Sequence, residues 1–288
     1  MSLSILTNIS AMNTQQNLLN SSNAVATSMA RLSSGLRINT AADDAAGYAI
    51  SQGLTSQVNG LDQASRNAND AISMVQTASS SLNNVQDMLQ RIYELGVQYS
   101  NGSNSTTDQS DIQSEVNQLT QEIDRQQTSS NFNGINLLNG TAGASGNGTV
   151  TFQVGANAGD TLTATFSSIE GSATSMLGGL GFSWSAAASG GTVIDLGQAG
   201  ALASLTSAIN LISTSAATLG AVQNRLQYTT DAIASTEQNL SASNSQIKDV
   251  NMAQEMTHLT QEQILEQAGT SMLAQANSQP QLILKLLG

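Results

Sequence analysis

LTSQVNGLDQASRNANDAISMVQTASSSLNNVQDML, residues 54–89, places an apolar residue at one position of every heptad. The apolar register consists of Leu54, Leu61, Ala68, Val75, Leu82 and Leu89. An apolar residue that recurs with this period forms a narrow stripe on a helix, and such a stripe packs along a second helix. A matching register runs through Leu205, Ile212, Leu219, Leu226, Ile233, Leu240 and Ile247. The two patterns predict two long helices, one in each half of the chain, that bury each other's stripe.

The region between these helices changes character. Thr106 and Gln109 have the spacing of a capping box, and they predict the start of a shorter helix. An Asn- and Gly-rich run at 131–140 ends that helix. Apolar residues then alternate with polar ones on both sides of GANAGD (155–160), which predicts a β-hairpin near 150–166. The Gly-, Ser- and Ala-rich residues 171–200 predict a short surface excursion.

Both ends of the chain are apolar and almost free of charge. The first ionisable side chain is Arg31, and Lys285 is the only one after Gln267. We expect helices here whose apolar residues form an assembly core, namely Ile5, Ile9, Met12, Leu19, Leu265, Met272, Leu282, Leu284, Leu286 and Leu287. Asn, Gln and Ser interrupt each apolar run, so we expect no membrane span and no cleavable secretory signal.

The pattern as a whole is palindromic, because an apolar tail and a long helix lie on each side of the β region. We therefore predict a mainly α fold, a long antiparallel helical, coiled-coil bundle with a small β-hairpin region. Its domains are nested and discontinuous. The inner domain combines 1–42 with 247–288, and the long-helix domain combines 43–170 with 201–246.

Composition excludes several classes of function. The net charge is −12, and no cluster of basic residues could neutralise the phosphates of a nucleic acid. The chain has no cysteine and one histidine, His258, so we expect no metal site and no cofactor. Asp43 and Asp44 are adjacent carboxylates, and Glu255 lies near His258 in sequence. With a single histidine these residues form no nucleophile–base–orienter set, so we expect no enzyme.

Several long motifs resemble those of bacterial flagellins. LSSGLRINTAADDAAGYAIS (32–51) is similar to the N-terminal signature of that family. LDQASRNAND (61–70) and FQVGANAGDTL (152–162) follow in the same order. LGAVQNRL (219–226) and ILEQAGTSMLAQANSQPQLILKLL (264–287) are similar to the C-terminal signature. The resemblance covers nearly the whole chain and implies a short form that lacks the large outer domains of longer members.

The resemblance implies a structural subunit that polymerises into the extracellular flagellar filament for swimming motility. Its terminal helices would fold on assembly, and export would need no cleavable signal peptide. The implied partners are other copies of the chain, the filament cap, the hook–filament junction protein and an export chaperone, with no nucleic acid and no membrane. Two alternatives remain, a junction protein of the same superfamily and a coiled-coil surface adhesin.

The stretch QRIYELGVQ, residues 90–98, contains two charged residues, Arg91 and Glu94, in a helix with few charges. On spacing alone, Arg91 and Glu94 form an ordinary pair on a solvated face. The resemblance implies an interface read by a host Toll-like receptor and shared with subunit packing, formed by Gln90, Arg91, Leu95, Gln98 and, on the next helix, Glu115. Gly96 is expected to loosen the last turns by up to about 1 kcal/mol. A cytosolic host receptor would read Leu282–Leu287.

Overall fold

The computed structural model of the chain describes residues 8–143, 145–169 and 194–287, with side chains up to Gln279. Within these residues the chain forms five helices and two small antiparallel sheets, so the predicted mainly α fold is confirmed. The elements in chain order are α1 Ile9–Ser34, α2 Ala45–Tyr99, α3 Thr106–Ser129, β1 Asn131–Phe132, β2 Ile135–Asn136, β3 Thr149–Gln153, β4 Thr161–Thr165, α4 Ala201–Lys248 and α5 Met252–Leu287.

The chain divides into two compact units. The terminal unit consists of Met1–Val58 and Gln238–Gly288, and the central unit is Asn59–Glu237. Helices α2 and α4 each contribute residues to both units. The nested domains predicted from the sequence have other boundaries, and that division stays a prediction.

The central unit contains most of the hydrophobic core. Of the thirty-five apolar residues buried in the described part of the chain, thirty-three belong to this unit. Both predicted stripes are buried here, at Leu61, Ala68, Val75, Leu82 and Leu89 of α2 and at Leu205, Ile212, Leu219, Leu226 and Ile233 of α4. The heptad pattern therefore identified the helix faces that hold this unit together.

Helix α3 begins one residue away from the predicted capping box. Ser105 is the N-cap, its hydroxyl accepts a hydrogen bond from the Asp108 backbone N–H, and the Asp108 carboxylate accepts one from the Ser105 N–H. The prediction of Thr106 and Gln109 is wrong in register because Asp108 supplies the carboxylate oxygen of the motif. The helix covers the core with Ile112, Val116 and Ile123.

Two hairpins follow α3. Strands β3 and β4 form the predicted one, with Val150 opposite Ala164 and Phe152 opposite Leu162. Strands β1 and β2 form a smaller hairpin within the run 131–140, which was predicted only to end the preceding helix. Its turn is Asn133–Gly134, with φ of 49° and 80°, and these positive angles suit the two-residue turn of a tight hairpin.

The predicted surface excursion lies mostly outside the described residues. Of its span, the structure describes 194–200, and there Ile194 and Leu196 are buried in the core. The Gln113 side chain holds this segment, because its amide donates to the Ile194 carbonyl at 2.6 Å and accepts from the Leu196 N–H at 3.1 Å. Residues 195 and 197–200 are exposed, so the segment is anchored to the core by two side chains, and its assignment as a surface excursion stays a prediction.

In the terminal unit, α1 and α5 pack together in antiparallel orientation. The Asn8 side chain donates to the Ala276 carbonyl at 2.8 Å near one end, and Arg31 lies 3.9 Å from Glu255 near the other. Helix α1 ends at Gly35, and the next residue, Leu36, forms a β-bridge with Asp249 between α4 and α5. The N–H groups of Arg37 and Ile38 donate to the Lys248 carbonyl. Hydrogen bonds thus join the segment that follows α1 to the segment between α4 and α5.

Candidate interaction surfaces

The seam between α1 and α5 is thinly packed. Ala11, Leu18 and Val25 of α1 are only half-buried, and Ser28 is the one buried residue of that helix. On α5, Leu259 is buried, while Glu262 and Glu266 are half-buried. Leu18 also approaches Gly269, where an added Cβ would lie 3.3 Å from the leucine Cδ1. The seam therefore brings the helices close together but buries little apolar surface.

The predicted assembly residues lie outside this seam. Ile9, Met12 and Leu19 of α1 are 64%, 64% and 53% exposed, and Leu265 and Met272 of α5 are 46% and 61% exposed. We call these five residues the terminal apolar face. The prediction also named Ile5, which lies outside the described residues, and Leu282, Leu284, Leu286 and Leu287, whose side chains are not described.

The terminal unit exposes further large apolar residues that the sequence reading did not single out. Ten of the fifteen exposed within the described residues belong to this unit. Beyond the terminal apolar face they are Met29, Ile50, Met252, Met256 and Ile264. Among its described side chains, the same unit buries two apolar residues, Ile38 and Leu259. A unit that exposes many more large apolar side chains than it buries is an incomplete core, and apolar surface of this kind marks an interaction site.

The linker between α1 and α2 is ordered by its carboxylates. Asp43 accepts hydrogen bonds from the backbone N–H of Thr40, from the Thr40 hydroxyl and from the Asn39 N–H, and these lower the pKa of the Asp43 carboxyl. Asp44 accepts from the N–H groups of Ala46 and Gly47 at the start of α2. Both aspartates therefore have structural partners in the backbone.

A charge cluster on the central unit contains Arg91, Glu94 and Glu115. The Arg91 guanidinium donates to Glu115 Oε1 from Nε at 3.1 Å and from Nη2 at 2.9 Å, and to Glu94 Oε2 from Nη1 at 3.2 Å. These hydrogen bonds, with that to Glu115 the strongest, raise the pKa of Arg91. The structure thus brings Arg91 and Glu115 together, and Gln90 and Gln98 are exposed.

Leu95 does not belong to that surface, which corrects its predicted exposure. It is 2% exposed and lies in the core cluster with Leu89 and Ile92. Gly96 is buried beside it, and a Cβ there would meet Leu202 Cδ2 at 2.9 Å. The absence of a side chain at Gly96 leaves room for the Leu202 side chain of α4, and the loosening of the last turns of α2 stays a prediction.

A charged cleft in the terminal unit contains Glu255 and His258, two of the four residues considered for catalysis. A cavity of about 610 Å³ is lined in part by Arg31, Asp249, Glu255 and His258. Arg31 Nε is buried without a partner, and His258 is exposed. Within the described residues no group of three or more His, Cys, Asp or Glu could hold a metal ion.

Helix α4 is long and apolar enough, by length and composition alone, to be a candidate membrane span. A core helix of a soluble protein meets the same criterion. Its apolar residues Leu205, Ile212 and Leu219 are buried in the central core, and 28% of the window that meets the criterion is buried.

Comparison with known proteins gives a consistent family. Residues 5–143 match the bacterial flagellin N-terminal helical region, and residues 202–287 match the bacterial flagellin C-terminal helical region. The chain is 41% identical over 280 residues to a flagellin of Halalkalibacterium halodurans and 44% identical over 286 residues to the flagellar filament 33 kDa core protein of Treponema phagedenis. It is 40% identical over 301 residues to a flagellin of Bacillus subtilis. Each alignment covers 97% of this chain and 98% of the relative.

Proposed function

The chain belongs to the bacterial flagellin family and is a structural subunit of a flagellar filament, and we propose that its copies join through the terminal apolar face. The relatives that match along its whole length are named flagellins or filament core proteins, which favours the filament over a junction protein or an adhesin. They are structural proteins, which supports a role without catalysis.

One observation carries the proposal. The described part of the terminal unit buries two apolar side chains and exposes ten large ones. A helix pair with so little buried surface is only weakly stable alone, because tertiary packing supplies most of the stability of helices in proteins. Neighbouring copies would cover the exposed face and complete the core. We therefore propose that the terminal helices become fully ordered only on assembly.

The contact is also suited to an open polymer. Leu19 and Met272 are on helices from opposite ends of the chain, so each copy offers a composite surface to its neighbours. If one copy's terminal apolar face meets a different patch of the next, the interface is heterologous and repeats without closing. A filament follows from such an interface.

The test is seeded polymerisation of the full-length chain. Completing the burial of Leu19 or Met272, each about half exposed, should contribute about 1 kcal/mol per side chain. Leu19→Ser combined with Met272→Ser should therefore raise the critical concentration roughly 30-fold, because about 1.4 kcal/mol corresponds to a factor of ten. The matched control is Gln15→Ser with Gln263→Ser, two exposed polar positions on the same helices. Equal critical concentrations for the two double variants would refute the proposal.

We propose that the subunit is exported intact to an extracellular filament. The apolar C-terminal residues Leu282, Leu284, Leu286 and Leu287 would be held by an export chaperone before assembly. The filament cap and the hook–filament junction protein would contact the two ends of the polymer. The mass of the exported chain checks export without cleavage, since a mass that lacks the N-terminal residues would contradict it.

A second proposal concerns the charge cluster, which offers a host Toll-like receptor a fixed arrangement of charges. Arg91 is about half exposed and is held by two carboxylates, so its guanidinium is both accessible and oriented. Gln90 and Gln98 are exposed positions nearby on the same helix. Arg91→Ala should reduce activation of receptor-expressing reporter cells by the monomer. Arg125→Ala is the matched control, because Arg125 is also exposed and pairs with Glu122. Loss of activity in both variants, or in neither, would contradict the assignment.

A further inference from the structure

The seven methionines among the described residues differ in exposure between the two units. Met12, Met29, Met252, Met256 and Met272 are 49–64% exposed, and all five are in α1 or α5 of the terminal unit. In the central unit, Met74 is 3% exposed and Met88 packs against the core. The chain has no cysteine, so its sulfur chemistry is confined to thioethers.

The exposed methionines occur at two levels of the α1–α5 pair. Met12 and Met272 each lie four residues from the contact between Asn8 and Ala276. Met12 follows Asn8 and Met272 precedes Ala276, so in an antiparallel pair the two methionines lie at about the same level. Met29 and Met256 lie beside the contact between Arg31 and Glu255. Exposed thioethers are therefore present at both levels of the α1–α5 pair. Met12 and Met272 belong to the terminal apolar face, and Met29, Met252 and Met256 are further exposed apolar residues of the same unit.

We propose that these five methionines form an oxidation-sensitive site that controls whether a free subunit can assemble. The inference rests on the proposed assembly through the terminal apolar face. A peroxide is the oxidant: the thioether sulfur attacks one peroxide oxygen, the O–O bond breaks and an S–O bond forms. The methionine is oxidised by two electrons to the sulfoxide, and hydrogen peroxide is reduced to water.

Oxidation converts a flexible apolar side chain into a polar one, which disrupts interfaces rich in methionine. On the free subunit the sulfoxides remain in water, so the central core and the fold of the chain are unaffected. In the filament the same oxygens would be buried among apolar side chains, where a polar group without a partner is unfavourable. Oxidised subunits are thus excluded from growth, and methionines already within the filament are protected.

The first experiment compares methionine oxidation in full-length monomer and in filaments treated with the same concentration of hydrogen peroxide. Peptide mass spectrometry follows each residue, with buried Met74 as the internal reference. The five exposed methionines should oxidise much faster than Met74 in the monomer and slow towards its rate in the filament. If they react equally fast in both forms, the proposal is overturned.

The second experiment measures seeded growth. Peroxide treatment should raise the critical concentration of monomer about tenfold or more, and tenfold corresponds to about 1.4 kcal/mol. The two methionine sulfoxide reductases, one for each epimer, should restore growth. Leucine at all five positions should make the critical concentration of that variant insensitive to peroxide, whatever its untreated value, because leucine has no thioether sulfur. Met74→Leu is the matched control and should leave the sensitivity unchanged.

The outcomes separate this inference from the assembly proposal. Oxidised monomer that grows like untreated monomer overturns the inference, whereas the Leu19→Ser and Met272→Ser variant decides the assembly proposal independently. A peroxide-treated five-leucine variant that loses growth as the natural chain does also overturns it. If the five-leucine variant fails to assemble before treatment, recovery of the natural chain by reductases decides: recovery supports the inference and continued inhibition contradicts it.

Discussion

The burial of Leu95 beside exposed Arg91 leads to opposite expectations for two residues one helical turn apart. Leu95 is 2% exposed and belongs to the core cluster. Truncation of a buried leucine to alanine removes apolar contacts and leaves a cavity, at a cost of about 2–5 kcal/mol. Arg91 pairs with Glu94 and Glu115 at the surface, where exposed ion pairs contribute about 0.2–1 kcal/mol.

Urea unfolding followed by circular dichroism distinguishes them. With an m-value of about 2–3 kcal/mol/M, Leu95→Ala should lower the midpoint by roughly 1–2 M. Arg91→Ala should lower it by less than about 0.5 M. Leu89→Ala, at a fully buried heptad position, is the matched positive control. A midpoint for Leu95→Ala as close to the natural chain as that of Arg91→Ala would refute the placement of Leu95 in the core. Reduced receptor activation by Leu95→Ala would reflect a weakened fold.

Two further predictions concern local structure. Gly148→Ala should destabilise the β3–β4 hairpin, because Gly148 has φ +77° and an added Cβ would lie 2.5 Å from the Phe166 carbonyl oxygen. Gly146 also has a positive φ, but open space surrounds it, so Gly146→Ala is the control. A lower melting temperature for Gly148→Ala than for Gly146→Ala would measure the contribution of the contact. The pKa of Asp108 is lowered because the Ser105 N–H donates a hydrogen bond to its carboxylate. The carboxylate therefore adds to the free energy of unfolding above the unfolded pKa of about 3.9, and this contribution is lost as pH falls through the folded pKa. Asp108→Asn should be less stable than the natural chain at pH 7, and the difference should shrink under acid; a difference independent of pH would contradict this.

The heptad pattern predicted the buried helix faces of the central unit because the apolar stripes of that unit pack against residues of the same chain. At Leu82 and Ile212, for example, each apolar position of the heptad finds a partner in the same core. The width of the buried face was harder to predict. Helix α2 also packs near α3 and residues 194–196, so Leu95 is buried although it lies beside the heptad register. A periodic pattern gives the centre of a face but not how many neighbours cover it.

The terminal helices show a different limit. Helix α1 carries two apolar stripes, one with Leu18 and Val25 and another with Met12 and Leu19. The spacing of these residues does not say which of the two stripes α5 covers. The structure places the first stripe against α5 and leaves the second exposed.

The tight turn at Asn133–Gly134 was not predicted, because strands of two residues are too short to show an alternation of apolar and polar residues.

A helical reconstruction of filaments grown from this chain tests the assembly account most directly. It should show Ile9, Met12, Leu19, Leu265 and Met272, now 46–64% exposed, buried at contacts between neighbouring copies. Filaments in which these side chains face water while other surfaces join the subunits would contradict the account.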